Sequence, residues 1–401
     1  MSEDKNKSVS LLFLFWSFLK LGSTAFGGFM ALISMVQTNI VDRAKLMSSE
    51  DMLDGISLAT ILPGPVAVNV VAYVGFRLRG GLGALVCAFA VILPSFLLMV
   101  ALTIAYLRWG EIPAVKGLFA GFIPAVTAII INAGWNISRK AVNNVVTGLL
   151  ALSAFIVLVG IGGFYSTLGI IIVAALIGFL FLRKQSAIPD SELVTAKKDQ
   201  KFSYIGIIFV SLLLLLFLLS FMLPIPFIKD NLHTKVFSTF AGMSLMLFGG
   251  GFVFIPMIQE IVVGTYQWVS QSEFTTAVAM GQITPGPILI SATFIGYKVL
   301  GFIGALLATI AIFTPSALLM LLSSQALLYL KNSTVIQASL IGIRAAVTGM
   351  IFAAAIIIAQ TAELHWASIA IFTLSILALF RLHIDVAWII PGAGLLGFLL
   401  Y

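Results

Sequence analysis

Two short stretches carry the residue types that could bind something: TILPGPVAVN at 60–69 and QITPGPILIS at 282–291. Each sets Pro-Gly-Pro inside an apolar run. Proline removes a backbone donor and clashes with the carbonyl four residues back, so each PGP breaks a helix. In lipid the break leaves polar backbone groups without partners unless protein or water supplies them. A helix restarting after the break offers first-turn N–H groups and a partial positive charge, which suits an anion. The side chains around the breaks bond oxygen: Thr60 and Asn69 in the first stretch, and Gln282, Thr284, Ser291 and Thr293 in the second. No carboxylate occurs between 55 and 80 or between 274 and 300, where a cation carrier would usually place one. The breaks (Pro63, Gly64, Pro65 and Pro285, Gly286, Pro287) with these neighbours therefore read as an oxyanion site. The competing reading is that Gly and Pro only kink membrane helices for packing.

Three basic residues, Lys20, Lys116 and Arg344, fall inside apolar runs. Lys20 and Lys116 can snorkel to an interface. Arg344 is central in its run, and its planar guanidinium fork suits a tetrahedral oxyanion. Among the acids, Ser48 with Asp51 and Ser270 with Glu273 have capping-box spacing. Asp54 and Glu260 lie deeper and are candidates for a coupling proton, although neither has an acidic counterpart at the matching place. No serine-elbow, Walker A, dinucleotide-binding or HExxH pattern occurs. Neither an enzyme nor a cofactor is implied, and transport would be passive or driven by an ion or the membrane potential.

Composition says what must position these groups. The chain has 401 residues, 61% hydrophobic and only 9% charged, against about 25% charged in soluble domains. Its mean hydropathy is +1.14. Many runs exceed the roughly 20 residues that span a bilayer. This predicts an all-α polytopic membrane protein whose partner is the lipid bilayer. The net charge of +7 reads as membrane topology rather than nucleic-acid binding. The single Cys87 gives no disulfide framework, three scattered histidines make a zinc site unexpected, and the first apolar run is read as retained rather than cleaved.

Thirteen segments are expected, near 9–34, 50–77, 81–107, 113–135, 141–160, 164–182, 203–223, 236–262, 273–297, 300–329, 333–360, 365–381 and 384–400. The sequence is duplicated. Phe26-Gly27-Gly28 precedes Pro63 by 37 residues, as Phe248-Gly249-Gly250 precedes Pro285. GALVCAFAVILPS (83–95) aligns with GALLATIAIFTPS (304–316), and AVT recurs at 125 and 346. The spacing shifts from 222 to 221 between Pro65 and Gly75. The expected units are a first repeat at 9–182, a polar cytoplasmic linker at 183–202, a connecting helix at 203–223 and a second repeat at 236–400. The odd connecting helix inverts the second repeat, an architecture of alternating-access carriers that place substrate at paired Gly/Pro interruptions. Counting every segment as a crossing, with the N-terminus inside, puts thirteen basic residues inside and six, including Arg43 and Lys45, outside. Whether the PGP segments span or re-enter is left open. The two breaks are expected to face each other near mid-membrane, with the second holding the tighter grip.

These residues also resemble a known family. FGGFMALISMVQTNIVDRAKLMSSEDMLDGISLATILPGPVAVNVVAYVGFRLRG (26–80) and its partner with GQITPGP are similar to the long, two-domain form of the chromate ion transporter family. The resemblance covers nearly the whole chain. It implies an inner-membrane carrier exporting chromate, a tetrahedral dianion like sulfate, on the proton-motive force. It also implies motif roles for Gly27, Gly28, Pro63, Gly64, Pro65, Asn69, Gly75, Gly249, Gly250, Gln282, Pro285, Gly286 and Pro287. Thr60 and Leu46 stand where relatives commonly have Gln and Trp, whereas the second repeat keeps Gln282 and Trp268. A sulfate or other anion carrier, an anion channel and a non-transporting subunit are the alternatives, and a homo-oligomer is open.

Overall fold

The computed structural model describes residues 9–26, 28–110, 112–162, 164–183, 231–247, 254–324, 334–360 and 365–401. Every regular element among them is helical. The first repeat runs α1 (Leu11–Thr24), α2 (Gly28–Val36), a π-helical run (Gln37–Arg43), α3 (Ser49–Ile61), α4 (Val66–Trp109), α5 (Pro113–Ala141), α6 (Val145–Gly160) and α7 (Phe164–Phe181). The second repeats this order: α8 (Leu232–Met246), α9 (Phe254–Gln259), a π-helical run (Glu260–Thr265), α10 (Gln271–Ile283), a 3₁₀ turn (Ile288–Ile290), α11 (Ser291–Ser323), α12 (Thr334–Ala359), α13 (Trp366–Phe380) and α14 (Val386–Leu400). The linker and the 203–223 helix lie outside the described residues, as do Gly27, Gly249 and Gly250, while Gly28 opens α2.

The PGP segments re-enter rather than cross. Ser48 caps α3 by accepting from Asp51 N–H at 3.0 Å. Asp51 in turn pairs with Arg77, 26 residues on, at 2.6 Å. The start of α3 and the end of α4's first half are therefore on one face of the protein, with the PGP break between them deep inside. Glu273, in the reciprocal capping box that opens α10, pairs in the same way with Lys298. At Arg79–Gly80 and Leu300–Gly301 the backbone leaves helical geometry, and α4 and α11 fold back on themselves. Gly75 lies against Gly83, and Gly296 against Gly304, closer than any side chain allows. The second repeat's first segment re-enters too: Lys235, at the start of α8, stands 4.3 Å over the Tyr266 ring just past its π-run.

This moves Arg43 and Lys45, read from sequence as outside, to the face that holds Arg77. A hydropathy run of 28 residues at 50–77 fits one crossing or one hairpin of two half-helices equally well. Only the long-range ion pair separates the two.

The repeats are inverted. Gly117 of α5 meets Gly397 of α14, and Gly121 meets Ala393, so the two helices run antiparallel. Within one repeat, α5 and α7 are separated by two short turns and run parallel. The helix equivalent to α7 in the second repeat therefore points the other way. Gly342 of α12 makes the reciprocal crossing, against Ala174 and Gly178 of α7. Small residues let these backbones touch, which is how helices associate where lipid removes the hydrophobic drive. Each repeat thus grips the other: α5 packs on α12, α13 and α14, and α12 packs on α5, α6 and α7.

The spacing shift has a local cause. After the first PGP the chain enters an α-helix at once, whereas after the second it makes a 3₁₀ turn. Four α residues and three 3₁₀ residues both advance about 6 Å. One residue fewer covers the same distance.

Candidate functional site

The two breaks have one backbone geometry. Gly64 has φ +108° and Gly286 has φ +110°, a region that side chains avoid. Pro63 and Pro285 end α3 and α10, and Pro65 and Pro287 precede the restarting helices.

Each break is plugged into the other repeat. Gly64 N–H donates to Leu247 C=O at 2.7 Å, and Gly286 N–H donates to Ala25 C=O at 2.9 Å. Leu247 and Ala25 hold matching places, just before the FGG positions. The breaks thus satisfy their backbone reciprocally. Both glycine amides are thereby taken by carbonyls of the opposite repeat.

Ser95 and Ser316 complete the crossing. Ser95 Oγ donates to Pro285 C=O. A Cβ on Gly64 would overlap Ser316, and a Cβ on Gly286 would overlap Ser95. Both serines are fully buried and follow a helix-internal proline, Pro94 or Pro315. Sequence reasoning aligned LPS with TPS yet gave neither serine a role. Their recurrence beside a proline at one spacing was the available signal.

What remains for a ligand differs between the breaks. At the first, Arg344 Nη2 donates to Thr60 C=O at 3.1 Å. Arg344 makes no ion pair among the described residues, so most of its five donors stay uncommitted. It is half-buried, and although its sequence belongs to the second repeat it serves the first break. Thr60 Oγ1 turns back to Ser57 C=O at 2.7 Å. Asn69, fully buried, donates from Nδ2 to Pro63 C=O at 3.2 Å, and its Oδ1 has no partner among the described residues. That oxygen pairs with the O–H of a protonated oxyanion or of water, not with a bare oxyanion oxygen.

At the second break, Gln282 Nε2 is buried, a donor with no acceptor among the described residues. Thr284 and Ser291 spend their hydroxyls on Gly281 C=O and Ile288 C=O, both at 3.0 Å. Thr293 bonds Thr309 at 2.7 Å and belongs to packing. Lys20 and Lys116 are exposed on their helices. Glu260 opens the second π-run, and its carboxylate lies beside Gly162 and Gly264. Asp54 is half-buried on α3.

The chain matches the chromate transporter family over residues 12–179 and again over 234–398. Over 94% of its length it is 33% identical to an uncharacterized transporter of Methanocaldococcus jannaschii, of which it covers 92%. It is 29% identical, over 96% of its length, to the chromate transport protein of Cupriavidus metallidurans, again covering 92%. An uncharacterized transporter of Bacillus subtilis matches only 36% of the chain, at 30% identity, yet that is 86% of the Bacillus protein. No solved structure matches the chain significantly. With its inverted, apolar helical repeats, this multi-pass membrane protein belongs to the chromate transporter family.

Proposed function

We propose that the protein is a secondary carrier that exports chromate, or a similar tetrahedral oxyanion, on the proton-motive force. The carrying observation is Arg344: a guanidinium inside the helical bundle, held on the Thr60 carbonyl at a helix break, with no carboxylate pairing it among the described residues. An intramembrane charge is costly and calls for a counter-ion. A tetrahedral dianion supplies one and can take two guanidinium N–H bonds at once. After the same break, α4 restarts at Val66, and the first-turn N–H groups of a helix start have no acceptor within the helix. Gln282 offers a second donor at the other break. Asn69, with its free acceptor, favours a substrate or water carrying a proton.

The fold supports alternating access. Among the described residues the two inverted repeats meet at the breaks through a few polar contacts: two backbone hydrogen bonds, the Ser95 hydroxyl and the Arg344 guanidinium on the Thr60 carbonyl. Rocking one repeat would exchange these contacts and slide the interleaved helices past one another at their glycine crossings. Glu260 and Asp54 are the acids we assign to proton coupling.

With the PGP segments as hairpins, Arg43, Lys45, Arg77, Arg79, Arg139, Lys140, Arg183 and Arg381 share one face. That face is assigned to the cytoplasm by the positive-inside bias, with the N-terminus cytoplasmic and the chain in the inner membrane.

The test is uptake of radiolabelled chromate and sulfate into everted membrane vesicles, with and without a proton gradient. The account expects saturable chromate uptake that collapses with a protonophore. Uptake that follows only the anion gradient identifies a channel. Saturable uptake of neither anion would falsify the reading.

A further inference from the structure

A cavity of about 970 Å³ lies away from the breaks, between α5 and α6 of the first repeat and α12 and α13 of the second. Its wall is apolar, with Ile131, Phe155, Phe352, Ile356 and Phe372. Along α5 it extends from Pro124 to Arg139, about 22 Å at the helical rise. Arg139 also lines a second cavity, of about 410 Å³, where Asn132, Asn136, His383 and Asp385 share the wall with apolar residues such as Trp135 and Phe380. An apolar groove and a more polar cup thus meet at one guanidinium.

We propose that an anionic phospholipid occupies this groove, with acyl chain on the aromatic wall and phosphate on Arg139. The charges favour it. Arg139 makes no hydrogen bond or ion pair among the described residues, and Lys140 beside it is exposed in the same last turn of α5. The one carboxylate in the cup, Asp385, spends Oδ1 on Ala387 N–H at 2.9 Å as the cap of α14. Asn132 and Asn136, whose side chains hydrogen-bond each other at 3.5 Å, line the same cup, and the Asn132 amide N–H groups suit phosphate or glycerol oxygens.

The apolar part requires a chain as well as a headgroup. An unfilled groove of this size forfeits dispersion contacts along both walls, and basic pockets between membrane helices are where anionic headgroups bind. A soluble anion fills only the cup. Because the groove is walled by both repeats, its lipid touches each of the bodies that must move, and its occupancy tunes their motion.

The test uses the purified full chain, stripped of lipid in detergent. Phosphatidylglycerol, phosphatidylcholine and inorganic phosphate are added in parallel, and native mass spectrometry and the unfolding midpoint are read. Phosphatidylglycerol is expected to give a retained adduct and a raised midpoint, and the other two neither. Arg139→Gln, an exposed site, lowers that retention about fivefold, the worth of one basic side chain at an anionic headgroup. Ile356→Trp fills the groove and lowers retention with Arg139 intact. Equal effects of phosphatidylcholine or phosphate would overturn the proposal. So would phosphatidylglycerol binding unchanged in both variants, or a lipid-independent dimer cross-linked through Phe372.

Discussion

Substituting Gly64 by alanine tests whether the PGP break is clamped between the repeats. Two separate costs follow from its surroundings. At φ +108° a Cβ is strained, which costs about 1–3 kcal/mol. The same Cβ overlaps Ser316 on α11, and overpacking of a tight core costs about 1–3 kcal/mol. The sum is about 2–6 kcal/mol. Gly80 separates the terms, since at φ +64° and ψ −155° its backbone is also one that side chains avoid, but there is open space around its Cβ. Gly80→Ala should therefore lose only the backbone share, about 1–3 kcal/mol. Adding Ser316→Gly to Gly64→Ala should return the overpacking share and leave the backbone share, a double-mutant cycle across the two repeats. The assay is reversible unfolding of the purified chain in detergent or bicelles. The expected stability order is wild type, Gly80→Ala, the Gly64→Ala/Ser316→Gly pair, then Gly64→Ala alone. Gly64→Ala matching Gly80→Ala, or no recovery with Ser316→Gly, refutes the clamp.

Two further outcomes follow from the same geometry. Ser95→Ala leaves the Pro285 carbonyl without its donor and should destabilise the chain by about 1–3 kcal/mol, read in the same unfolding assay; a change within error contradicts the contact. In a Cys87→Ala background, single cysteines at Leu46 and Arg79 should both react with an impermeant thiol reagent from one side of oriented vesicles. Labelling from opposite sides would restore the crossing at 50–77.

Much of the architecture is legible in the residues because it is repeated. The 222-residue spacing pairs Pro63 with Pro285 and Asp51 with Glu273, and all four stand in matching places. Capping signals are local, so Ser48 and Ser270 announce their helices from four residues. Long-range partners are not local. Nothing near Asp51 says that Arg77 returns to it, because hydropathy measures the length of an apolar run and not its direction. Likewise Gly64 looks available for an anion until Leu247, from the other repeat, takes its N–H. Arg344 was visible as a lone central charge, but its place at the first break depends on how α12 crosses the first repeat. The 3₁₀ turn after Pro287 was written as a single missing residue.

The central claim is that an oxyanion passes at the two breaks, held by Arg344 and Gln282. Its most direct measurement is saturable chromate counterflow in liposomes containing the purified chain, comparing wild type with Arg344→Gln and Gln282→Ala. Losing a charged hydrogen-bond partner of the substrate costs about 1.5–3 kcal/mol. The account therefore predicts that Arg344→Gln weakens apparent affinity or rate about tenfold to hundredfold. Gln282→Ala should lose less, and both proteins should stay folded. Wild-type counterflow in both variants would contradict it.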